Sequence, residues 1–266
     1  MMQARDGRTL CFADWSDGDG YPVLFFHGIQ GCRLSIRSTE LVESLGGRLI
    51  TYDRPGCGRS DRHLGRVIAD CTSDVELIAD ALGLEEFAVV GMSCGVPHAL
   101  AVAAGLRSRV SRVACYAPIA PYQELGHDEW SRGQDEESRE YIETCLAGED
   151  QTISLLITLE AEAQAHASRE DPKDAHVFER SIFSVLGQVD DERCHLKSWG
   201  FDVGDVIAPA VIYFDPKDTV TPPHQADWLA RTIPNAFLKP SDALGHGSTG
   251  DPAYDREEMY SFLIGS

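Results

Sequence analysis

A serine set between two glycines, Gly91-Met92-Ser93-Cys94-Gly95, stands between an apolar run, Phe87 to Val90, and a stretch of small residues, Pro97 to Leu106. A strand that turns into a helix this sharply needs glycine at both ends, because a Cβ two residues either side of the serine collides with its neighbours. The turn holds the serine in a strained conformation at the mouth of a sheet, with the positive N-terminal end of the next helix at the reaction centre. That chemistry is nucleophilic, and Ser93 is the candidate nucleophile. It requires a base to take the hydroxyl proton and an acid to orient that base. Both belong in loops that follow strands. Asp215-Pro216-Lys217-Asp218 follows the apolar run Val211 to Phe214, and Leu244-Gly245-His246-Gly247 follows the next strand and a short loop. The chain order is therefore Ser93, Asp218, His246. The pentapeptide by itself recurs in ordinary loops, so the weight rests on the three residue types arriving together.

The elements that must position these groups read as alternating strand and helix. Strands are expected at Leu10 to Trp15, Val23 to Phe26, Arg48 to Asp53, Phe87 to Val90 and Val110 to Ala117. Helices are expected at Ser35 to Leu45, around Thr72 to Leu82, and after the elbow. Such alternation implies right-handed crossovers and an α/β fold, a mostly parallel doubly wound sheet with helices on both faces and its site at the carboxyl ends of the strands. From Pro121 to Ala208 the pattern changes. No run there reads as a strand, and Glu136 to Leu146, Thr152 to Ala167 and Ala175 to Leu186 read as acidic amphipathic helices. The alternation returns with Ala210 to Phe214, His224 to Thr232, Ala236 to Lys239 and Asp255 to Ile264. The expected organisation is a first core part over 1–120, a helical insertion over 121–208 and a second core part over 209–266.

The order of motifs resembles the α/β-hydrolase superfamily, over the whole chain outside the helical insertion. In that family the acid sits in a Gly-x-x-Asp-x-x-x-Pro setting after a strand, which resembles Asp215-Pro216-Lys217-Asp218-Thr219-Val220-Thr221-Pro222. Asp218 takes the catalytic position, and Asp215 stands where the family has glycine. That departure leaves Asp215 as a rival acid, or as a carboxylate that caps the turn before Pro216. His246, in a Gly-His-Gly-Ser loop similar to the family's histidine loop, is the base. Phe26-His27-Gly28-Ile29-Gln30-Gly31 resembles the family's His-Gly oxyanion loop, which implies that the backbone N–H groups of Ile29 and Cys94 receive the oxyanion. Cys94 follows the apex of the elbow and points its thiol away from the base, so it is not the nucleophile. Asp53-Arg54-Pro55-Gly56-Cys57-Gly58-Arg59-Ser60 resembles the turn after the family's fourth strand. It reads as scaffold for the active-site floor, with a local Asp53 to Arg54 ion pair, and not as a phosphate loop.

The resemblance makes the insertion a lid over Ser93 and implies acyl transfer. The expected activity is hydrolysis of a small-molecule carboxylic ester, with lactone, thioester, amide and carbon–carbon cleavage as variants. A lyase or small-ligand receptor on the same fold is the alternative. His27, Met92, Trp130, Tyr141, Trp199 and Phe201 are candidates for the substrate pocket, although lid aromatics serve more often as lid core than as substrate contacts, and His27 serves to hold the oxyanion loop. His127, His166, His176 and His195 read as surface residues. Composition bounds the rest. The formal charge is −20, of which 21 acids against 7 Lys or Arg between Pro121 and Ala208 supply −14. That balance opposes nucleic acid and anionic membranes as partners. Eight scattered cysteines and no leader favour reduced thiols and a cytoplasmic protein. No metal-ligand spacing occurs, no obligatory cofactor is expected, and a homo-oligomer is compatible with the sequence.

Overall fold

The run Tyr21-Pro22-Val23-Leu24-Phe25-Phe26 carries no charge, and strands of that kind are stable only where both faces are covered. The computed structural model, which describes residues 1–16, 19–36, 38–241 and 253–265, places it inside a seven-stranded sheet with a strand on either side. In chain order the elements are β1 (Met2–Gln3), β2 (Thr9–Leu10), β3 (Phe12–Asp14), β4 (Tyr21–Phe26), α1 (Thr39–Ser44), β5 (Gly47–Tyr52), α2 (Cys71–Ala81), β6 (Phe87–Met92), α3 (Val96–Gly105) and β7 (Val110–Tyr116). There follow α4 (Tyr122–Leu125), α5 (His127–Trp130), α6 (Glu136–Ala147), α7 (Glu149–His166), α8 (Ala175–Glu179), α9 (Leu186–His195), β8 (Ala210–Phe214), α10 (Pro223–Thr232), β9 (Ala236–Pro240) and α11 (Ala253–Ile264). The sheet order is β3-β5-β4-β6-β7-β8-β9. The β3–β5 pair is antiparallel and every other neighbouring pair is parallel.

Side chains alternate between two cores, as the period of two in a strand requires. Leu24 and Phe26 of β4, Phe87 and Val89 of β6, and Ala210 and Ile212 of β8 pack with α2, α3 and α10 on one face. Val23 and Phe25, Ala88 and Val90, and Val211 and Tyr213 pack with Val42 of α1 and with Met259, Tyr260 and Leu263 of α11 on the other. Because β5 and β6 lie on opposite sides of β4, the strand order reverses there. A crevice opens at such a switch point, beyond the carboxyl ends of the strands. The register Phe26↔Gly91 sets the residues after β4 beside those after β6.

Between β7 and β8 the described elements are helices alone. Two expected helices differ from the sequence reading. Ser35 closes a hydrogen-bonded turn with Cys32, so helix begins only at Thr39. The single helix expected over Ala175 to Leu186 is instead α8 followed by α9. Ser184 Oγ accepts from Leu186 N–H and starts a new helix there. The start of α9 lies directly on the core: a Cβ on Gly187 would stand 2.5 Å from the Gly56 Cα, and Gly56 itself has φ +85°. All eight cysteines are free thiols. Among the described residues no helix is long and apolar enough to cross a membrane, and no group of three or more His, Cys, Asp or Glu could hold a metal ion.

Candidate active site

Ser93 stands where β6 ends and the helical turn into α3 begins, with φ +50°, in the left-handed region that non-glycine residues enter only under constraint. The flanking glycines account for that constraint. A Cβ on Gly91 would meet the Val96 Cα at 2.5 Å, and one on Gly95 would meet the His27 carbonyl oxygen at 2.6 Å. Strand, turn and helix therefore pass within a backbone's width of each other, and only glycine fits at 91 and 95. Ser93 is 6% exposed. The loop after β4 lies against it: a Cβ on Gly28 would stand 3.6 Å from the Ser93 Cβ and 3.6 Å from the Met92 Cε.

Charged side chains hold that loop from beneath. Arg54, fully buried, donates from Nη1 to the His27 carbonyl and from Nη2 to the Gly28 carbonyl at 3.0 Å. Its Nε and Nη2 also reach Asp191 Oδ2 of α9 at 2.8 and 2.6 Å, and Arg66 takes the other Asp191 oxygen. Burial alone would raise the Asp191 carboxyl, but the two guanidiniums outweigh it and hold it well below the usual carboxylate range. The local Asp53 to Arg54 ion pair expected from sequence does not form. Asp53 faces the other way, with its Oδ2 on Arg33 Nη1 at 2.6 Å, and Arg33 continues to Glu179 of α8. Farther along the loop, Arg180 Nη1 donates to the Gln30 carbonyl at 3.1 Å.

Three histidines sit around the elbow, all buried and neutral. Burial pushes His27 down to about 3 and His195 to about 4, and lowers His98 well below its ordinary value. His27 Nδ1–H donates to its own loop at Gly28 O, 2.9 Å away. His98 Nδ1 and His195 Nε2 lie 3.1 and 2.9 Å from the Cys94 carbonyl, and a carbonyl only accepts, so both nitrogens carry the proton. His195, read from sequence as a surface residue, is therefore a core histidine of the elbow. His127 and His166 are exposed and His176 is half-buried. Next to His195 on α9, Glu192 accepts from Tyr141 Oη, and burial pushes its carboxyl up to about 7.

Asp215 and Asp218 follow β8, two strands from β6. Asp218 Oδ1 accepts from the Val220 and Thr221 N–H groups at 2.8 and 2.9 Å, and its Oδ2 accepts from Thr221 Oγ1 at 2.9 Å. Asp215 Oδ1 accepts from Lys217 N–H at 2.8 Å, the turn-capping bond that its place before Pro216 suggests. Gln134 and Asp135, at the start of α6, bond to Val220 and Thr219 and tie α6 to this loop. His246 lies outside the described residues. Of the candidate pocket aromatics, Trp130 is core, donating from Nε1 to the Ala120 carbonyl at 2.8 Å. Trp199 is also core, stacked on Phe201, and both border a groove of about 540 Å³ that Ser93, Gly28 and Asp218 do not line.

A sequence model of the alpha/beta hydrolase fold matches residues 21–248, most of the chain. The chain belongs to the alpha/beta hydrolase fold family. Among curated relatives, an uncharacterized hydrolase of Bacillus subtilis is 30% identical over 43% of this chain and 39% of its own length. A non-heme chloroperoxidase of Streptomyces lividans is 32% identical over 44% of this chain and 43% of its own. A proline iminopeptidase of Xanthomonas citri is 30% identical over 39% of this chain and 34% of its own. The chain thus spans well under half the length of the curated relatives it matches. Among solved structures, an esterase of Exiguobacterium antarcticum superposes with a TM-score of 0.72 at 22% identity, covering 99% of this chain and 98% of the esterase. A bromoperoxidase of Bacillus anthracis gives 0.74 at 20% identity, covering 98% and 97%. Both share the alpha/beta hydrolase fold with this chain.

Within this alpha/beta hydrolase fold, sequence reasoning missed Asp191, Glu192 and His195, which bring α9 under the elbow. The available signal was their spacing. Gln188, Asp191, Glu192 and His195 fall at i, i+3, i+4 and i+7, the stripe by which a helix docks, but the stripe is polar.

Proposed function

We propose that the protein is a serine hydrolase of small-molecule carboxylic esters, with the helices of 121–208 forming a lid that shapes the substrate pocket. The observation that carries this reading is Ser93 at φ +50° between two glycines that cannot bear a Cβ, with the Gly28 loop against it. A position held at that cost has a use in presenting the hydroxyl. Ser93 Oγ attacks the ester carbonyl carbon while His246 takes its proton, and Asp218 orients the imidazole and stabilises its charged form. The Ile29 and Cys94 N–H groups receive the oxyanion. Each such donor lowers the barrier by about 3 kcal/mol. His246 hands the proton to the departing alkoxide, and the alcohol leaves. Water, deprotonated by His246, then attacks the acyl-enzyme, the acid departs, and the proton returns to Ser93.

The test is treatment with a small fluorophosphonate followed by peptide mass spectrometry, beside a panel of short and long p-nitrophenyl esters. One adduct per chain at Ser93 with ester turnover is expected, and Ser93→Ala should lose both while unfolding at the wild-type urea concentration. Labelling without turnover would move the reading to a lyase or receptor. A folded protein that takes no label at Ser93 refutes the nucleophile.

A further inference from the structure

We propose that α9 braces both donors of the oxyanion hole, with Asp191 acting through Arg54 on the Ile29 amide and His195 acting on the elbow at Cys94. The proposal rests on Ile29 and Cys94 as donors in the function proposed above, and it makes Arg54, Asp191 and His195 positioning residues.

The Gly28 carbonyl and the Ile29 N–H belong to one planar trans peptide, so they point in opposite directions. Fixing the carbonyl fixes the amide. Arg54 Nη2 holds the Gly28 carbonyl at 3.0 Å, and Nη1 holds the His27 carbonyl of the preceding peptide. Two successive peptide planes are therefore held by one rigid fork on the side away from the Ile29 N–H, with His27 Nδ1–H as a second donor to the Gly28 carbonyl. A cation on the carbonyl also polarises the peptide and strengthens its N–H as a donor.

Arg54 is itself held from α9. Asp191 Oδ2 takes its Nε and Nη2, and Asp191 Oδ1 takes Arg66. With Asp191 neutral, two buried guanidiniums would face each other unscreened, and Arg54 would lose the carboxylate that fixes its Nε and Nη2 and so the orientation of its fork on the loop. One turn along the same helix, four residues on, His195 Nε2–H reaches the Cys94 carbonyl at 2.9 Å. With His98 on the other lone pair, that carbonyl has both acceptor sites filled. The peptide that leaves Cys94 is then fixed, which limits from one side the rotation open to the N–H that enters it, two backbone torsions away. One face of one helix thus reaches both donors. Helix docking alone does not explain this: apolar side chains at 188, 191, 192 and 195 would seat α9 without the desolvation cost of burying a carboxylate and two arginines.

The experiment compares Asp191→Asn, His195→Phe and His195→Gln with Asp190→Asn. Asp190 is the neighbouring residue, whose bond to Arg62 at 2.8 Å fastens α9 to the core without touching the loop. Readouts are the second-order rate of fluorophosphonate labelling at Ser93, kcat and KM for p-nitrophenyl acetate, and the urea midpoint. Displacing rather than deleting a donor should slow labelling about 30-fold in Asp191→Asn and about 10-fold in His195→Phe, in kcat and not in KM. His195→Gln, which keeps an N–H donor, should stay within about threefold of wild type, and Asp190→Asn within about twofold, even if its midpoint falls. Wild-type labelling rates in folded Asp191→Asn and His195→Phe overturn the brace. So does a loss in Asp190→Asn equal to that in Asp191→Asn, which would make α9 a docking element only. If Asp191→Asn does not fold, the contrast between His195→Phe and His195→Gln decides alone, and equal loss in both overturns the proposal. Wild-type protein that takes no label removes the hydrolase reading and the brace with it, whereas a labelled wild type with indifferent variants removes the brace alone.

Discussion

The Glu192 carboxyl offers a stability measurement that depends chiefly on burial. It is 3% exposed, its one named donor is Tyr141 Oη, and burial raises it from an ordinary 4.5 to about 7, with Asp191 adding to the rise and Tyr141 opposing it. A carboxyl whose folded value lies above its unfolded value binds its proton more tightly in the native state. Its contribution to stability is therefore present in full below about 4.5, declines as pH rises, and is gone above about 7. At about 1.36 kcal/mol per pH unit the whole effect is about 3 kcal/mol, of which about 2.5 kcal/mol falls between pH 5 and 8. Glu192→Gln removes the titration and keeps the shape. Urea unfolding of both proteins at pH 5, 6, 7 and 8 isolates the term: the wild type should lose about 2.5 kcal/mol relative to Glu192→Gln across that range. Tyr141→Phe deletes the donor that favours the ionised form, so the decline should start at the same pH and extend to higher pH. A difference between wild type and Glu192→Gln that stays flat from pH 5 to 8 refutes the argument, since it would mean that the carboxyl is as well solvated folded as unfolded.

Two further outcomes are expected. Asp218→Asn should lower kcat for p-nitrophenyl acetate by about 10⁴, whereas Asp215→Asn, which loses one turn-capping bond, should cost less than about tenfold; the reverse ranking would move the acid to Asp215. Gly95→Ala must push a methyl against the Phe26 and His27 carbonyls, so urea unfolding should show a loss of about 3 kcal/mol, with fluorophosphonate labelling slowed beyond what that loss explains.

The sheet was legible because its central strands are uncharged runs that only a two-sided core tolerates; Tyr21–Phe26, Phe87–Met92 and Ala210–Phe214 all fall within two residues of the expected bounds. The elbow was legible for a steric reason, since no other residue fits at 91 and 95. What sequence hid was any interaction whose partner is distant along the chain. Arg54 looked like the partner of Asp53 beside it, yet its partner lies 137 residues away. Helix α9 escaped because most of its buried residues, Gln188, Asp191, Glu192 and His195 beside Gly187, Val189 and Cys194, are polar, which reads as solvent-facing to any rule built on apolar periodicity. For the same reason His195 looked like one more histidine in an acidic surface. Trp130 and Trp199 carry no mark that separates a core ring from a pocket ring, and the fold places both in the core.

The contact of Gly187 with Gly56 bears on how such proteins diversify. The two glycines lie in different parts of the chain, one in α9 between β7 and β8 and one in the turn after β5, and neither tolerates a methyl group while the other stays where it is. The helical stretch between β7 and β8 is consequently not a cassette that can be exchanged at its two junctions. A grafted segment must bring its own glycine to meet Gly56, or the turn carrying Arg54 must be rebuilt with it, so chimeras and natural recombinants should succeed only when both sides of that contact travel together.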